Sequence, residues 1–157
     1  MSLLVYLDQN YLSGIAKRKP AFVALEPVLR AAVARGAVAV PESQAHRVES
    51  AARPDLGLLR LLRELSGGLT LPDEPGPHER TLRRVLERHF PERPARPSDA
   101  VDLHALAAAL PRCRLVTCDA FMLDVVRRSG LDVRFRCELY SGRRADVDRL
   151  RERLSAL

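Results

Sequence analysis

The sequence predicts an α/β fold with three α/β/α layers: one domain over residues 1–157, with helices on both faces of a mostly parallel sheet of four to five strands. Short apolar runs alternate with longer segments of helical periodicity, and this βαβ rhythm is typical of a parallel sheet. A chain of 157 residues can also bury roughly 68–70% of its unfolded surface, which suffices for one core.

The first third of the chain supplies two of the predicted strands. Its elements are, in order, strand Leu3–Leu7, helix Tyr11–Lys17, helix Pro20–Arg35 and strand Ala37–Val40. Gly36 is the expected stop of the second helix. A further helix starts near Pro41–Ser43 and closes before Arg53-Pro54, because the residue preceding a proline is disfavoured in the α region.

The middle of the chain is predicted to be mostly helical. Its elements are helix Leu56–Leu65, a turn at Gly67-Gly68, a short strand at Leu69–Leu71, a loop at Pro72–Pro77, helix His78–His89 and a proline-rich connection at Pro91–Pro97.

The last third returns to the alternation of strands and helices. Its elements are helix Ser98–Leu110, strand Arg114–Cys118, helix Phe121–Ser129, strand Val133–Cys137 and helix Arg144–Leu154. Ser98 is the expected cap of the first of these helices. Gly130 is the expected stop of the second.

Four carboxylates stand close to the ends of predicted strands. Asp8 and Asp119 each end a strand, Asp102 lies in the helix that leads to the second of these, and Glu49 lies in the helix after strand Ala37–Val40. The carboxyl ends of parallel strands open into one crevice, so these acids are expected to converge. Converging carboxylates repel each other unless a cation neutralises them. The pattern therefore predicts a Mg²⁺ or Mn²⁺ site of the kind that hydrolyses phosphodiesters.

Two acids near this site have competing explanations. Glu49 shares a helix face with Glu42 and His46, and a solvated surface acid is the alternative interpretation for it. Asp99 lies on the same helix face as Asp102. It is either a further ligand or, as we favour, a first-turn acid that stabilises the N-terminus of the helix.

The formal net charge of +6 comes almost entirely from arginine, since Lys17 and Lys19 are the only lysines. A basic surface attracts polyanions such as RNA. The alternative is that a bias toward Ala, Leu, Arg and Pro reflects a GC-rich genome. If the partner is a nucleic acid, the candidates for holding its phosphates are Arg47, Arg127 and Arg128, because guanidinium matches phosphate oxygens with paired donors.

Other site chemistries receive little support. Cys113, Cys118 and Cys137 lack the C-x-x-C spacing of a zinc site, and reduced thiols are the expected state. Cys118 is assigned to packing, because no base stands beside it in sequence. The histidines form no H-E-x-x-H motif, which argues against a zinc hydrolase. With no basic-then-apolar leader and no apolar run near the ~20 residues of a membrane span, we predict a cytoplasmic protein without a membrane partner.

Three stretches of the chain resemble the PIN-domain ribonucleases, a family that includes the toxins of many bacterial toxin–antitoxin pairs. The stretches are Val5-Tyr6-Leu7-Asp8-Gln9-Asn10, Pro41-Glu42-Ser43-Gln44-Ala45-His46-Arg47-Val48-Glu49, and the block from Asp102-Leu103-His104-Ala105-Leu106-Ala107 to Leu115-Val116-Thr117-Cys118-Asp119. The block that ends at Asp119 is the most specific of the three. The sequence Leu-Asp-Gln-Asn also resembles a PIN-like subgroup distinct from the best-known toxins.

The resemblance implies a PIN-like fold and a metal-dependent endoribonuclease. Carried over by position, the catalytic residues and metal ligands are Asp8, Glu49, Asp102 and Asp119, which hold one or two Mg²⁺ or Mn²⁺ ions. Asn10 would hold a metal ligand or a water in place through a hydrogen bond from its amide. Thr117 either does the same or is an ordinary β-branched residue of the strand, and we favour the second interpretation.

The resemblance also implies partners: RNA, an antitoxin protein and a second copy of the chain. The sequence departs from the commonest pattern of the family at Cys118, where a basic residue often stands, and in a longer middle insert over residues 54–97. These departures concern the substrate more than the chemistry.

Other α/β proteins with acidic pockets fit the chain less well. A response-regulator receiver needs adjacent acids after its first strand and a late lysine, but Gln9 follows Asp8 and no lysine follows Lys19. A haloacid-dehalogenase-type phosphatase needs a second aspartate where Asn10 stands. The remaining alternative is a catalytically inactive PIN-like protein that binds nucleic acid or serves as a protein-interaction scaffold.

Overall fold

The computed structural model describes residues 1–73 and 76–157. Within these ranges it contains one four-stranded sheet with the order β2-β1-β3-β4, formed by β1 (Leu3–Tyr6), β2 (Val38–Ala39), β3 (Leu115–Thr117) and β4 (Glu138–Tyr140). All three strand pairs are parallel. The predicted α/β fold with a mostly parallel sheet of four to five strands is therefore confirmed.

Helices connect and flank the strands. They are α1 (Gln9–Ala16), α2 (Pro20–Val23), α3 (Leu25–Ala34), α4 (Gln44–Ala51), a single 3-10 turn at Pro54–Leu56, α5 (Leu58–Ser66), α6 (Pro77–His89), α7 (Pro97–Ala109), α8 (Ala120–Ser129), α9 (Leu131–Phe135) and α10 (Arg144–Ser155). None of the helices in the described ranges is both long and apolar enough to cross a membrane.

The sheet buries both of its faces, which accounts for the three layers. Consecutive strand residues point to opposite faces. Accordingly, Val5 and Leu7 belong to a core cluster with side chains of α1, α3, α5 and α10, whereas Tyr6 belongs to a second cluster with side chains of α7 and α8. In β3, Leu115 and Val116 divide between the two clusters in the same way.

The predicted helix Pro20–Arg35 is in fact two helices, α2 and α3, separated at Ala24. Pro27 explains the break, because a proline inside a helix removes a hydrogen bond and clashes with the preceding turn. Starting α3 at Leu25 places Pro27 in the first turn, where its missing N–H is not needed.

The predicted last strand, Val133–Cys137, is wrong. These residues form most of α9 and its end, and the strand that pairs with β3 is Glu138–Tyr140. Gly130 adopts a φ of 74°, ends α8 and starts α9 directly. The alternation of apolar and basic residues around Val133 suggested a strand, but Val133 is 78% exposed on a short helix.

Three smaller predictions also change. Residues 69–71 form no strand beyond an isolated bridge between Glu42 and Thr70. The predicted loop Pro72–Pro77 includes Glu74 and Pro75, which lie outside the described residues. Ser98 does not cap α7: the helix starts at Pro97, and its N-cap is Arg96.

Candidate active site

A cavity of about 200 Å³ opens at the carboxyl ends of β1 and β3. All four carboxylates singled out in the sequence line it: Asp8, Glu49, Asp102 and Asp119. They come from four different parts of the chain, and the parallel sheet brings them to one place. The two aspartates that follow strands are near each other because β1 and β3 are adjacent.

Asp8 is fixed by two local contacts. It is the N-cap of α1, where its Oδ1 accepts a hydrogen bond from the Tyr11 N–H at 3.4 Å. The hydroxyl of Thr117 donates to the same Oδ1 at 2.8 Å and accepts from the Asp8 N–H at 2.8 Å. The buried Thr117 side chain therefore joins the ends of β1 and β3 and orients the Asp8 carboxylate.

Asp119 has the same local role at the next strand. It is the N-cap of α8, and its Oδ1 accepts from the Met122 N–H at 2.7 Å. Two helix N-termini thus begin at the cavity, and the positive end of a helix favours negative charge.

Glu49 reaches the cavity because α4 is tied to the end of β1 by His46. This imidazole is 1% exposed and stacks on Tyr6 at 5.1 Å between ring centroids. Its Nδ1 accepts from the Ser43 N–H at 3.0 Å, so its Nε2–H donates to the Leu7 carbonyl at 2.5 Å. Burial lowers the pKa of His46, and this arrangement requires the neutral ring.

Asp102 lies one turn after Ser98 on α7, and both side chains line the cavity. The same helix face carries Ala105 and Leu106, which form part of the apolar wall. The small side chain of Ala105 leaves room between α7 and the ends of the strands.

The carboxylates are partly buried, and this raises the pKa of three of them. Burial, with a smaller contribution from Asp119, raises the pKa of Asp8 to about 6 against the hydrogen bonds that lower it. Burial and the charge of Asp8 raise the pKa of Glu49 to about 7. Burial and the charges of Glu49, Asp119 and Asp8 raise the pKa of Asp102 to about 7. The cavity therefore resists full ionisation in the absence of a cation.

This repulsion predicts a pH-dependent effect of the substitution Asp102→Asn. A carboxyl whose pKa is raised by folding stabilises the protein below its unfolded pKa, near 4, and this contribution is lost as the pH rises through about 7. Without metal, Asp102→Asn should raise the free energy of unfolding by about 1–2 kcal/mol at pH 8 and leave it nearly unchanged at pH 4. Urea titrations of both proteins at the two pH values measure the difference. A variant less stable than wild type at pH 8 would contradict the prediction.

The chemistry of these side chains fits a hard divalent cation. Besides the carboxylates, Gln9 lines the cavity, and its Oε1 is buried without a hydrogen-bond partner in the described residues. Oxygen ligands of this kind are those that Mg²⁺ and Mn²⁺ prefer. Across residues 1–73 and 76–157, however, no three His, Cys, Asp or Glu side chains lie close enough together to hold an ion as they stand. Binding would therefore require the carboxylates to move toward each other.

The residues expected to support the ligands occupy different positions. Asn10 is exposed and lines the cavity. Asp99 lies in the first turn of α7, where its carboxylate accepts from the Arg96 N–H at 2.9 Å and from Arg93 at 2.6 and 3.1 Å. Cys118 lines the cavity but is buried, and burial raises the pKa of its thiol.

The three arginines expected to bind phosphates are not brought to the cavity. Arg47 pairs with Glu42 at 3.2 Å and bonds to Gln44. Arg128 pairs with Asp124 on α8 at 3.1 Å, and Arg127 lines a second cavity beside β4. Among the described residues that line the acidic cavity there is no arginine.

Sequence reasoning missed several residues of the site. Tyr6 lines the cavity. Because side chains along a strand alternate between the two faces of the sheet, the sequence already placed Tyr6 on the face opposite Val5 and Leu7. Gln9 follows Asp8 directly in the sequence, and this position next to a predicted ligand could have identified it as a residue of the site. The role of His46 depends on a hydrogen bond to a residue 39 positions away, and no local pattern announces such a contact.

Comparison of the chain with known proteins identified no similar protein. No family model matches the chain, and no curated protein or solved structure gives a significant match.

Proposed function

We propose that this chain is a PIN-like endoribonuclease that hydrolyses phosphodiester bonds with Mg²⁺ or Mn²⁺. The observation that carries the proposal is the convergence of Asp8, Glu49, Asp102 and Asp119 on one cavity at the carboxyl ends of adjacent parallel strands. The raised pKa values of Asp8, Glu49 and Asp102 support it, because a divalent cation relieves the repulsion in such a cluster.

Each carboxylate has a role in this proposal. Asp8 and Asp119 are each fixed as the N-cap of a helix, and Asp8 also by Thr117, so they provide the rigid side of the site. Glu49 and Asp102 come from helices α4 and α7 and would complete the set of ligands. A bound divalent ion would lower the pKa of a water and polarise the phosphate. The carboxylates orient that water, and the two helix N-termini favour the anionic substrate.

RNA is the proposed substrate class because the resemblance points to ribonucleases and because the chain carries a formal net charge of +6. The proposed setting is the cytoplasm. If the protein is a toxin, its further partners are an antitoxin protein and a second copy of the chain. A neighbouring small gene whose product suppresses the cleavage would support that role.

Incubation of the purified protein with a mixed RNA pool tests the activity. We expect cleavage in Mg²⁺ or Mn²⁺, no cleavage in EDTA, and weaker or no cleavage of single-stranded DNA of matched length. An Asp102→Asn preparation made in parallel controls for a contaminating nuclease. RNA cleavage that persists in EDTA or in this variant would contradict the proposal.

The second candidate is a PIN-like protein that binds nucleic acid or another protein without turnover. One observation favours it: the described carboxylates are not close enough to hold an ion without movement. A protein of this kind would bind RNA equally well with and without metal, and would leave the RNA intact in every metal tested.

A further inference from the structure

A groove of about 430 Å³ lies between α6 and α7 and is closed at one end by the connection between them. This volume is within the range of sites that bind small molecules or single nucleotides. Leu86, Phe90 and Leu103 provide apolar surface, and Arg83, Arg93 and Arg96 provide guanidinium groups. Arg83 is paired with Glu79 and Arg93 with Asp99. The carboxylates of Glu87 and Asp99 also line the groove, so Arg96 is the guanidinium that remains to bind a ligand.

The chemistry of the groove suits a nucleotide. A nucleobase stacks on aromatic and apolar surface, and guanidinium groups match phosphate oxygens with paired donors. Arg96 is exposed and forms no ion pair with any described residue, so its guanidinium is accessible to a ligand, although it also lies within the electrostatic reach of Asp99. A peptide helix would fit an elongated apolar groove better than one of this size with an arginine border.

The groove also adjoins the acidic cavity. Helix α7 separates the two: Ser98 and Asp102 face the cavity, whereas Pro97 and Ala100 face the groove. Arg93 connects them, because its guanidinium binds Asp99 and lies over the ring of Phe121 at 3.9 Å, close behind Asp119 in the chain. An RNA strand with one phosphate in the acidic cavity could pass the N-terminus of α7 and place its next nucleotide in the groove.

We propose that this groove binds a nucleotide adjacent to the scissile phosphate, with the base on the apolar surface around Phe90 and a phosphate on Arg96. The proposal rests on the nuclease function proposed above. In this proposal the residues of the groove bind the RNA, in place of the residues predicted from the sequence, Arg47, Arg127 and Arg128.

Binding of a short fluorescent RNA in Ca²⁺, an ion that supports little turnover, tests the groove. Arg96→Ala removes the phosphate contact, and Ala100→Leu fills part of the groove without changing the charge or adding an aromatic ring. Ala100 is exposed on α7, so the larger side chain does not disturb the core. Arg84→Ala is the matched control, because Arg84 is exposed on α6 and its loss changes the charge equally.

We expect Arg96→Ala and Ala100→Leu each to weaken RNA binding by about 10-fold and Arg84→Ala by less than about 2-fold. Arg96→Ala should also make the slope of log affinity against log salt shallower by about 0.7, the value for one lost contact on a single strand. In Mg²⁺ both groove variants should raise KM with a smaller change in kcat.

Three results would overturn the groove proposal: equal weakening by Arg84→Ala, unchanged binding in both groove variants, or an unchanged salt slope. Unchanged binding would make the groove a candidate surface for a protein partner instead. These outcomes are distinct from failure of the nuclease proposal, in which wild-type protein would leave RNA intact in Mg²⁺ and Mn²⁺.

Discussion

Replacing Asp8 with Asn should reduce metal-dependent RNA cleavage by at least about 100-fold, more than the 10–100-fold typical of residues that only support a metal ligand. The amide cannot supply the negative charge that a divalent ion requires. Cleavage rates at saturating RNA and Mg²⁺, measured for the variant and for wild type, provide the comparison.

The same variant should fold normally. Its Oδ1 can still accept the hydrogen bonds of Tyr11 and Thr117, and Asn is among the best N-cap residues. Because the substitution removes a charge from an acidic cluster, the thermal midpoint without metal at pH 8 should be unchanged or slightly higher. Asp124→Asn, which removes an exposed aspartate of α8, is the matched control and should keep full activity. A markedly lower midpoint for Asp8→Asn would instead assign Asp8 to the scaffold.

The second large effect is expected for His46→Ala. The substitution leaves a cavity beside Tyr6, and it leaves the Leu7 carbonyl without its hydrogen-bond donor. We expect a loss of about 2–4 kcal/mol in the free energy of unfolding, or roughly 5–15 °C in the thermal midpoint. Thermal melts followed by circular dichroism measure this loss.

Activity should fall in His46→Ala even at temperatures where the variant is folded, because α4 then holds Glu49 less firmly against Asp8. His46→Gln, whose amide can still donate toward Leu7, should recover part of both losses. His89→Ala, at the exposed end of α6, should change neither. A His46→Ala variant with full activity and a lower midpoint would limit His46 to the stability of the fold.

The sequence was sufficient to predict the elements whose local signals agree with their packing. The predicted strand Leu3–Leu7 is a continuous apolar run whose Val5, Tyr6 and Leu7 are buried on alternate faces, and the sheet places it as an inner strand. Asp8 and Asp119 were identifiable because each follows a strand, and the parallel topology brings the ends of adjacent strands together. Glu49 and Asp102 lie in helices, so their arrival at the cavity depends on how those helices pack.

The elements that sequence reasoning missed depend on contacts between distant residues. The strand Glu138–Tyr140 has three residues, and only its pairing with β3 makes it a strand. The interpretation of Thr117 as an ordinary strand residue overlooked its hydrogen bonds to Asp8, a residue 109 positions away in the sequence. Arg93 stands in a proline-rich connection with no periodicity, so its contacts with Asp99 and Phe121 follow from the tertiary structure alone.

The strand order has a consequence for synthesis on the ribosome. The central strand β1 is made first, yet one of its neighbours, β3, is among the last strands to be made. Until the segment around residues 115–119 emerges, one edge of β1 lacks its neighbour, Thr117 cannot hold Asp8, and Asp119 is missing from the cavity. Slow closure of distant strand pairs is expected from their large separation in the chain. Under the proposed function, a nascent chain would therefore carry Asp8 and Glu49 long before it could cleave any RNA, including the message from which it is being translated.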